Sequence, residues 1–432
     1  MLDLKWIRQN PELIAQVIQQ KNIPLKLDEL LVKDRQYSEV RRELQQLEEQ
    51  KNSNAQKVPT AKAEDRLVYI QKGKEIGAEI ETVKSRLRGI EQELQELMWL
   101  VPLPPSPDAP IGKSDEQNVE IKRWGTPTQF SFHPRDHLEL MALNDWADLE
   151  RVAQVAGTRS YLLKDELVLV EMALHRFALD RLRSKGFTVM TVPSLARESA
   201  FFGTGHFPTG KDQVYPLEED HLFLTGTAEV IANALHSHEI LKEEDLPILY
   251  AAFSPCFRRE AGSSGKDTRG LIRVHQFMKV EQYVMCKNDP AESEFWHQEL
   301  LETSEEIVQA LELPYRVVDV CTGDMGAGKF RQYDLEVWIP SEGKFRETHS
   351  CSNLQDWQAR RSNLRYRYAQ SSLQFCHTLN NTAIATPRIL VPFLENHQRV
   401  DGSVGVPAAL QNYLGGQTEL SGKRKMKFKP KT

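Results

Sequence analysis

The chain has 432 residues, 40% hydrophobic and 27% charged, enough for two or three domains with a sizeable core. Its net charge of −6 excludes a global positive field for nucleic acid, so any RNA contact must come from local patches. Cys256, Cys286, Cys321, Cys351 and Cys376 form no close CxxC pair, the N-terminal MLDLKWIRQNPEL lacks the blocks of a signal peptide, and no apolar run nears a membrane span. Together these argue against a zinc knuckle or a secreted disulfide framework, and predict a chain of the reducing cytoplasm with no membrane partner.

Asn10-Pro11-Glu12 reads as an N-cap followed by proline at the first helical position, with Leu13, Ile14, Val17 and Ile18 as the buried stripe. Two heptad segments follow. Leu30, Tyr37 and Leu44 recur every seven residues with Val40 and Leu47 between them; Ile76, Val83, Ile90 and Leu97 do the same with Ile80, Leu87 and Leu94. Such spacing gives a narrow seam that is buried only against another helix. The polar stretch Gln50 to Asp65 reads as the turn, so residues 1–100 are expected to form an arm, an antiparallel coiled-coil hairpin roughly 50 Å long at ~1.5 Å per residue. Two separate helices pairing with other chains is the competing reading.

Pro102, Pro104, Pro105, Pro107 and Pro110 stop the second helix and predict a stiff linker over residues 101–120. Beyond it, over 121–420, Leu138 to Ala147 and Leu167 to Lys185 read as helices. Strands are expected around Thr188–Val192, His221–Thr225, Leu249–Phe257, Val274–Met285, Tyr315–Val320, Tyr333–Ile339 and Phe345–Ser350. Few β-α-β alternations occur, so the fold class is α+β, an antiparallel sheet flanked by helices. Neither a Walker loop nor a GxGxxG fingerprint is present. Residues 421–432, with six lysines and arginines from Lys423 onward, read as a basic tail.

The run from Cys256 to Tyr283, CFRREAGSSGKDTRGLIRVHQFMKVEQY, places a polar loop between two strand-like flanks. On strands, Arg258 and Glu260 would share one face, as would Arg273, His275, Phe277, Lys279 and Glu281. That combination offers cations for phosphate, an aromatic plate for a base and carboxylates for amines; the bland alternative is a hairpin with solvated charges. These residues resemble motif 2 of the class II aminoacyl-tRNA synthetases, specifically the bacterial-type seryl-tRNA synthetases. Gly186-Phe187-Thr188 through Pro193 resembles motif 1, which builds the dimer interface in that family. Gly203-Thr204-Gly205 with Phe207-Pro208, and Thr225-Gly226-Thr227-Ala228-Glu229, resemble the segments that close over the amino acid. Glu347-Thr348-His349-Ser350-Cys351-Ser352-Asn353 and Leu379-Asn380-Asn381-Thr382 through Arg388 resemble the family's signature before motif 3 and motif 3 itself.

The resemblance, which covers nearly the whole chain, implies ATP-dependent activation of L-serine and its transfer to tRNA(Ser), in a homodimer, with Mg2+. Whether tRNA(Sec) is a second acceptor stays open. In such a reaction both partners start negative, so the site must neutralise and align them rather than supply a covalent nucleophile. The family places Arg258 between the substrate carboxylate and the α-phosphate, as part of the ATP-binding run Arg258-Arg259-Glu260. It puts Arg273 and Arg388 near the γ-phosphate, and adenine between Phe277 and Arg388. Glu260 would accept from the adenine amino group and the Val274 backbone would read the adenine edge. Glu347, Thr348, His349 and Ser350 would lie along the ATP, with Glu347 and Ser350 holding magnesium. Arg258, Glu260 and Arg388 are thus the catalytic candidates. For serine, Glu281 and Thr382 would meet the hydroxyl, and Thr227, Ala228 and Glu229 would surround the ammonium. Alanine would leave Glu281 unpaired, while threonine must be excluded by size.

Arg35, Arg41, Arg42, Lys51, Lys57, Lys62, Lys72, Lys74, Lys84, Arg86 and Arg88 give the arm local cations for RNA phosphates, with solubilising flanks as the plain alternative. His349 stands where the family usually has a small residue, and Ala385-Thr386-Pro387-Arg388 departs from the commoner ending while keeping the arginine. The competing functions are a seryl-type ligase charging a carrier protein and a non-catalytic RNA-binding relative.

Overall fold

The computed structural model describes residues 1–262, 270–369 and 372–422. The centre of the polar loop after Arg258 and the basic tail from Lys423 lie outside the described residues. The chain divides into two compact units, Met1–Pro102 and Leu103–Thr432.

The first unit is helical: α1 (Leu4–Gln9), α2 (Pro11–Gln20), α3 (Leu27–Lys57) and α4 (Ala63–Leu100). Pro11 opens α2, but the Asn10 side chain turns back and donates to the Trp6 carbonyl instead of capping it. Ile14 and Val17 are buried with Leu30, Leu94 and Met98, whereas Leu13 is 40% exposed and lies outside the stripe expected of it. The long helices α3 and α4 pack along each other with Leu30, Val40, Ile76, Ile80, Val83 and Leu94 buried between them, which is the hairpin that the heptads predict. The turn is shorter than the polar stretch implied, because α3 runs on to Lys57 and α4 begins at Ala63. Near it the buried Asn54 amide donates 2.7 Å to the Tyr69 carbonyl, and Lys33–Glu93 and Arg86–Glu43 pairs cross the seam. Arg86 is therefore spent on the partner helix.

In the second unit the prolines do not leave a free spacer. Leu103 and Ser106 donate backbone bonds to Ala327 and Phe330, Thr322 donates to Pro110, and Leu103 and Ala109 are buried. Then come β1 (Val119–Trp124), α5 (His137–Leu143), α6 (Leu149–Ala156), α7 (Glu166–Ser184), β2 (Thr188–Thr191), β3 (Leu195–Arg197), α8 (Glu198–Thr204), β4 (Pro216–Leu217), β5 (Leu222–Leu224), α9 (Glu229–Ala234), β6 (Ile240–Lys242) and β7 (Ile248–Phe257). The chain continues through β8 (Gln276–Cys286), α10 (Pro290–Ala310), β9 (Tyr315–Asp319), β10 (Arg331–Ile339), β11 (Lys344–Asn353), α11 (Trp357–Ser362), β12 (Arg365–Tyr368), β13 (Ser372–Phe375), β14 (His377–Thr386) and α12 (Leu390–Asn396).

Eight strands form one sheet in the order β1-β9-β10-β11-β14-β8-β7-β2, antiparallel except where β2 joins β7. Period-two alternation gives the sheet two different faces. Val280, Val284, Leu335 and Leu379 join the main apolar core, in which α7, α10 and α12 take part. On the same side Gln282 and Asn381 bond the Leu300 carbonyl and Ser304 hydroxyl of α10. The odd-numbered residues of β8 turn the other way, and that face carries the site.

Candidate active site

A cavity of about 290 Å³ lies over β8, β11 and β14 and is closed by the segments before α9, after β7 and after α8. Its deepest part is built on β8. Phe277, Lys279 and Glu281 are two apart and line the same wall, and register places Thr382 of β14 directly opposite Glu281. Lys279 and Glu281 are buried, their ammonium and carboxylate in direct contact. Thr227 completes the cluster: it donates to Glu281 Oε2 at 3.2 Å, and its Oγ1 accepts from Lys279 Nζ at 2.8 Å. Glu229, in the first turn of α9, is fixed from two sides, since Gln358 and Asn380 both donate to its Oε1 at 2.7 Å.

The other end is more open. β7 stops at Phe257, so Arg258 and Glu260 sit on a loop rather than on one strand face, and Glu260 takes a positive φ of 53°. Arg258 lies over the Phe277 ring, 5.1 Å from its centroid, and reaches the Gly226 carbonyl at 3.5 Å. A side chain at residue 226 would crowd the Phe257 carbonyl at 3.3 Å and Arg258, so glycine keeps this approach free. Arg273 and Val274 precede β8, and Arg273 is ion-paired with Glu260. Arg388 donates to the Ile272 and Glu347 carbonyls at 3.2 Å each, and its guanidinium stands 3.7 Å from the Glu347 carboxylate.

Burial pushes Glu281 above the usual carboxylate range; Lys279 opposes that shift and Glu229 adds to it. Asp334, behind Ser350, is raised to about 8 by burial and by Glu347. Burial lowers His206, whose Nδ1 lies 2.8 Å from Thr204 Oγ1 on the cavity wall. Cys351 is buried, with its thiol pushed well above the ordinary range by burial, as expected of a packing group rather than a nucleophile.

Glu347 and Ser350 offer two hard oxygens on the same wall, and Ser350 accepts from Gln332 at 3.0 Å. Among the described residues no three acidic, histidine or cysteine side chains form a closed metal cage. This donor set fits magnesium, which keeps few protein ligands and shares substrate phosphates.

Of the residues expected at the site, Thr227, Glu229, Arg258, Glu260, Arg273, Val274, Phe277, Glu281, Glu347, Thr348, Ser350, Thr382 and Arg388 line one cavity. Three stand off its wall. Ala228 is fully buried at the N-cap of α9. Arg259 is exposed, its backbone tied to Gln213. His349 points through the sheet to the Ala383 carbonyl at 3.1 Å, because it alternates with the wall residue Ser350. Burial lowers it to about 4, so it is neutral there. Lys279, Asn380, His206 and Lys329 line the cavity without having been assigned to it. The first two were legible by alternation with Glu281 and Thr382; Lys329 has no local signal.

Two family models match the chain: the seryl-tRNA synthetase N-terminal domain over residues 1–104, and the tRNA synthetase class II core domain (G, H, P, S and T) over residues 214–397. A serine–tRNA ligase of Deinococcus radiodurans is 51% identical over 97% of this chain and 99% of its own length. One from Dictyoglomus thermophilum is 44% identical over 96% and 98%. The crystal structure of seryl-tRNA synthetase from Pyrococcus horikoshii complexed with ATP superposes with a TM-score of 0.91 at 38% identity, covering 98% of this chain and all of that one.

Proposed function

The chain belongs to the seryl-tRNA synthetase family, and from that premise we propose how its cavity performs the ATP-dependent activation of serine and the transfer of serine to tRNA. The observation that carries the reading is one cavity with a buried, hydrogen-bonded carboxylate end and an open arginine-rich end. Serine binds at the first. Glu229 and Thr227 take its ammonium, and Glu281 with Thr382 takes its hydroxyl. ATP lies across the second, its adenine between Phe277 and Arg388, with the Val274 backbone at the base edge.

Arg258 stands between the two ends. Its planar fork holds the serine carboxylate and the α-phosphate together, removing the repulsion that would keep two anions apart. A carboxylate oxygen attacks the α-phosphorus, the bond to the bridging oxygen breaks, and pyrophosphate leaves with its electron pair. Arg273 and Arg388 stabilise the charge that develops there. Glu260 must exchange its Arg273 partner for the adenine amino group as ATP enters. Glu347 and Ser350 would hold Mg2+, which when bound neutralises phosphate charge. A ribose hydroxyl of tRNA then attacks the acyl carbon of the adenylate and releases AMP.

The homodimer is part of the proposal. Val189, on the edge strand β2 within the segment resembling motif 1, and Leu169 and Met172 on the helix α7 that packs against it, are exposed apolar side chains. The arm is proposed to bind tRNA(Ser) through its exposed cations Arg35, Arg41, Arg42, Lys51 and Lys72, with tRNA(Sec) to be tried beside it. A cytoplasmic setting is supported by five free, buried cysteines; among the described residues no helix is long and apolar enough to cross a membrane. The test is charging of purified tRNA(Ser) with labelled serine in the presence of ATP and Mg2+. Serine attached to the tRNA terminus is expected. Transfer to a carrier protein with none to tRNA would replace the proposal with the carrier-ligase reading.

A further inference from the structure

Among the described wall residues Lys279 is the cation that meets the buried carboxylate of Glu281; Lys329, the other lysine of the wall, bonds the Ser352 hydroxyl, and the arginines of the site stand at the open end. Its side chain is 7% exposed and that of Glu281 3%. Both belong to β8, two residues apart on one face, so the strand itself imposes the contact. A buried lysine–carboxylate pair is a poor choice for stability, because desolvating two charges offsets most of their attraction. Its geometry suggests another purpose. The two polar partners of the Glu281 carboxylate meet the same oxygen: Lys279 Nζ touches Oε2, and Thr227 Oγ1 donates to Oε2 at 3.2 Å. Lys279 also donates to Thr227 at 2.8 Å, closing a three-membered ring of side chains. Oε1 takes no hydrogen bond among the described residues, and Thr382, opposite Glu281 on β14, lines the same cavity.

We propose that Lys279 is a specificity-determining residue: by occupying Oε2 of Glu281 together with Thr227, it orients the open Oε1 as a fixed acceptor for the substrate hydroxyl. The inference rests on the reading of this end of the cavity as the serine pocket. Glu281 faces Lys279 on its own strand, Glu229 on α9 and Cys256 on β7, and His206 and Lys329 also line the cavity. Of these, Lys279 is the one whose positive charge touches the Glu281 carboxylate. Without that charge, Glu281 and Glu229 are two carboxylates sharing one buried space, and one of them takes up a proton. A protonated Glu281 is free to turn its O–H, and the pocket then reads a hydroxyl less sharply.

The experiment is amino-acid-dependent ATP–pyrophosphate exchange by the full chain, with serine and with alanine, across pH 5.5–9, for the parent, Lys279→Met and Lys279→Arg. For Lys279→Met, kcat/KM for serine is expected to fall by ~100-fold or more at pH 7, against a change of less than ~10-fold for alanine, so that the serine-to-alanine ratio narrows. The active form is ionised Glu281, whose pKa rises when Lys279 is lost, so serine activity should now be lost as pH falls through a higher value. The acidic limb moves toward neutral pH. Lys279→Arg keeps the charge and should hold the limb in place even where its rate is lower. ATP binding, followed by equilibrium dialysis, should stay within ~3-fold in both variants, since Lys279 lies away from the adenine end.

An equal loss for serine and alanine with an unmoved pH profile would make Lys279 a packing residue and overturn the proposal. So would a Lys279→Arg profile as displaced as that of Lys279→Met. If Lys279→Met does not fold, the arginine variant alone decides: a displaced limb contradicts the proposal and an unmoved one supports it. Absence of serine-dependent exchange in the parent would instead overturn the serine-pocket reading itself.

Discussion

The two ends of the cavity solve the problem of binding charge in different ways. At the proposed serine end Thr227, Lys279 and Glu281 are buried and partnered with one another before any substrate arrives, Thr382 is buried opposite them, and Glu229 is held by Gln358 and Asn380. At the proposed nucleotide end Arg258 and Glu347 are exposed and Arg273 and Arg388 half-buried, with pairs such as Arg273–Glu260 and Arg388–Glu347 between them. The first end suits a small ligand identified by one hydroxyl, where a misplaced or unpaired group is costly. The second suits a large polyanion, where partners are exchanged on binding and precise preorganisation matters less than total charge.

Mutations at the two ends should therefore differ in kind. The largest effect is expected from Glu281→Ala, which leaves Lys279 buried and uncompensated: serine-dependent exchange should fall by ~10³-fold or more, with ATP affinity retained. A loss seen equally in ATP binding would break the division. Arg258→Ala comes next, because Arg258 is proposed to serve both ends; removing one preorganised donor from a developing anion lowers kcat by ~10²–10³-fold. Its signature is a drop in kcat with every amino acid tried, against the serine-selective loss of Glu281→Ala. Arg388→Ala removes one face of the proposed adenine stack, worth ~1–2 kcal/mol, so KM for ATP should rise by ~10-fold with KM for serine unchanged. Glu260→Gln is expected to be mildest, within a few-fold in KM for ATP, since its pair with Arg273 is partly open to solvent. A pH profile sharpens the contrast further. Glu281 is raised by burial, so kcat/KM for serine should decline on the acid side above the ordinary glutamate value of about 4.3. Binding of ATP alone should show no such limb.

How much of this was legible in the sequence follows the range of the forces involved. The seams of α3 and α4 were, because heptad spacing is local and Leu30, Val40, Ile76 and Val83 are buried as it requires. The cavity face of β8 was, because alternation puts Phe277, Lys279 and Glu281 on one wall. Strand β14 was harder to read as a strand: Asn380 and Asn381 are poor strand formers, and they are accommodated by Glu229 on one side and Leu300 and Ser304 on the other. The sequence reading also placed no helix over residues 290–310, although Asp289 capping the Ala291 and Glu292 amides, with Pro290 at the first position, is a start signal. The ring of Lys279, Glu281 and Thr227 was out of reach, since Thr227 comes from a segment more than fifty residues upstream that only the fold brings to β8. Arg258 and Glu260 were misplaced onto a strand face because nothing local announces that β7 ends at Phe257.

Whether this cavity activates serine and reads it by its hydroxyl is decided by ATP–pyrophosphate exchange on the purified chain with serine, alanine, threonine, glycine and cysteine in parallel. Exchange with serine is expected, with rates for alanine and glycine lower by ~10³-fold or more because each leaves the Glu281 carboxylate without its partner. Exchange with alanine or glycine at a rate comparable to serine would contradict it.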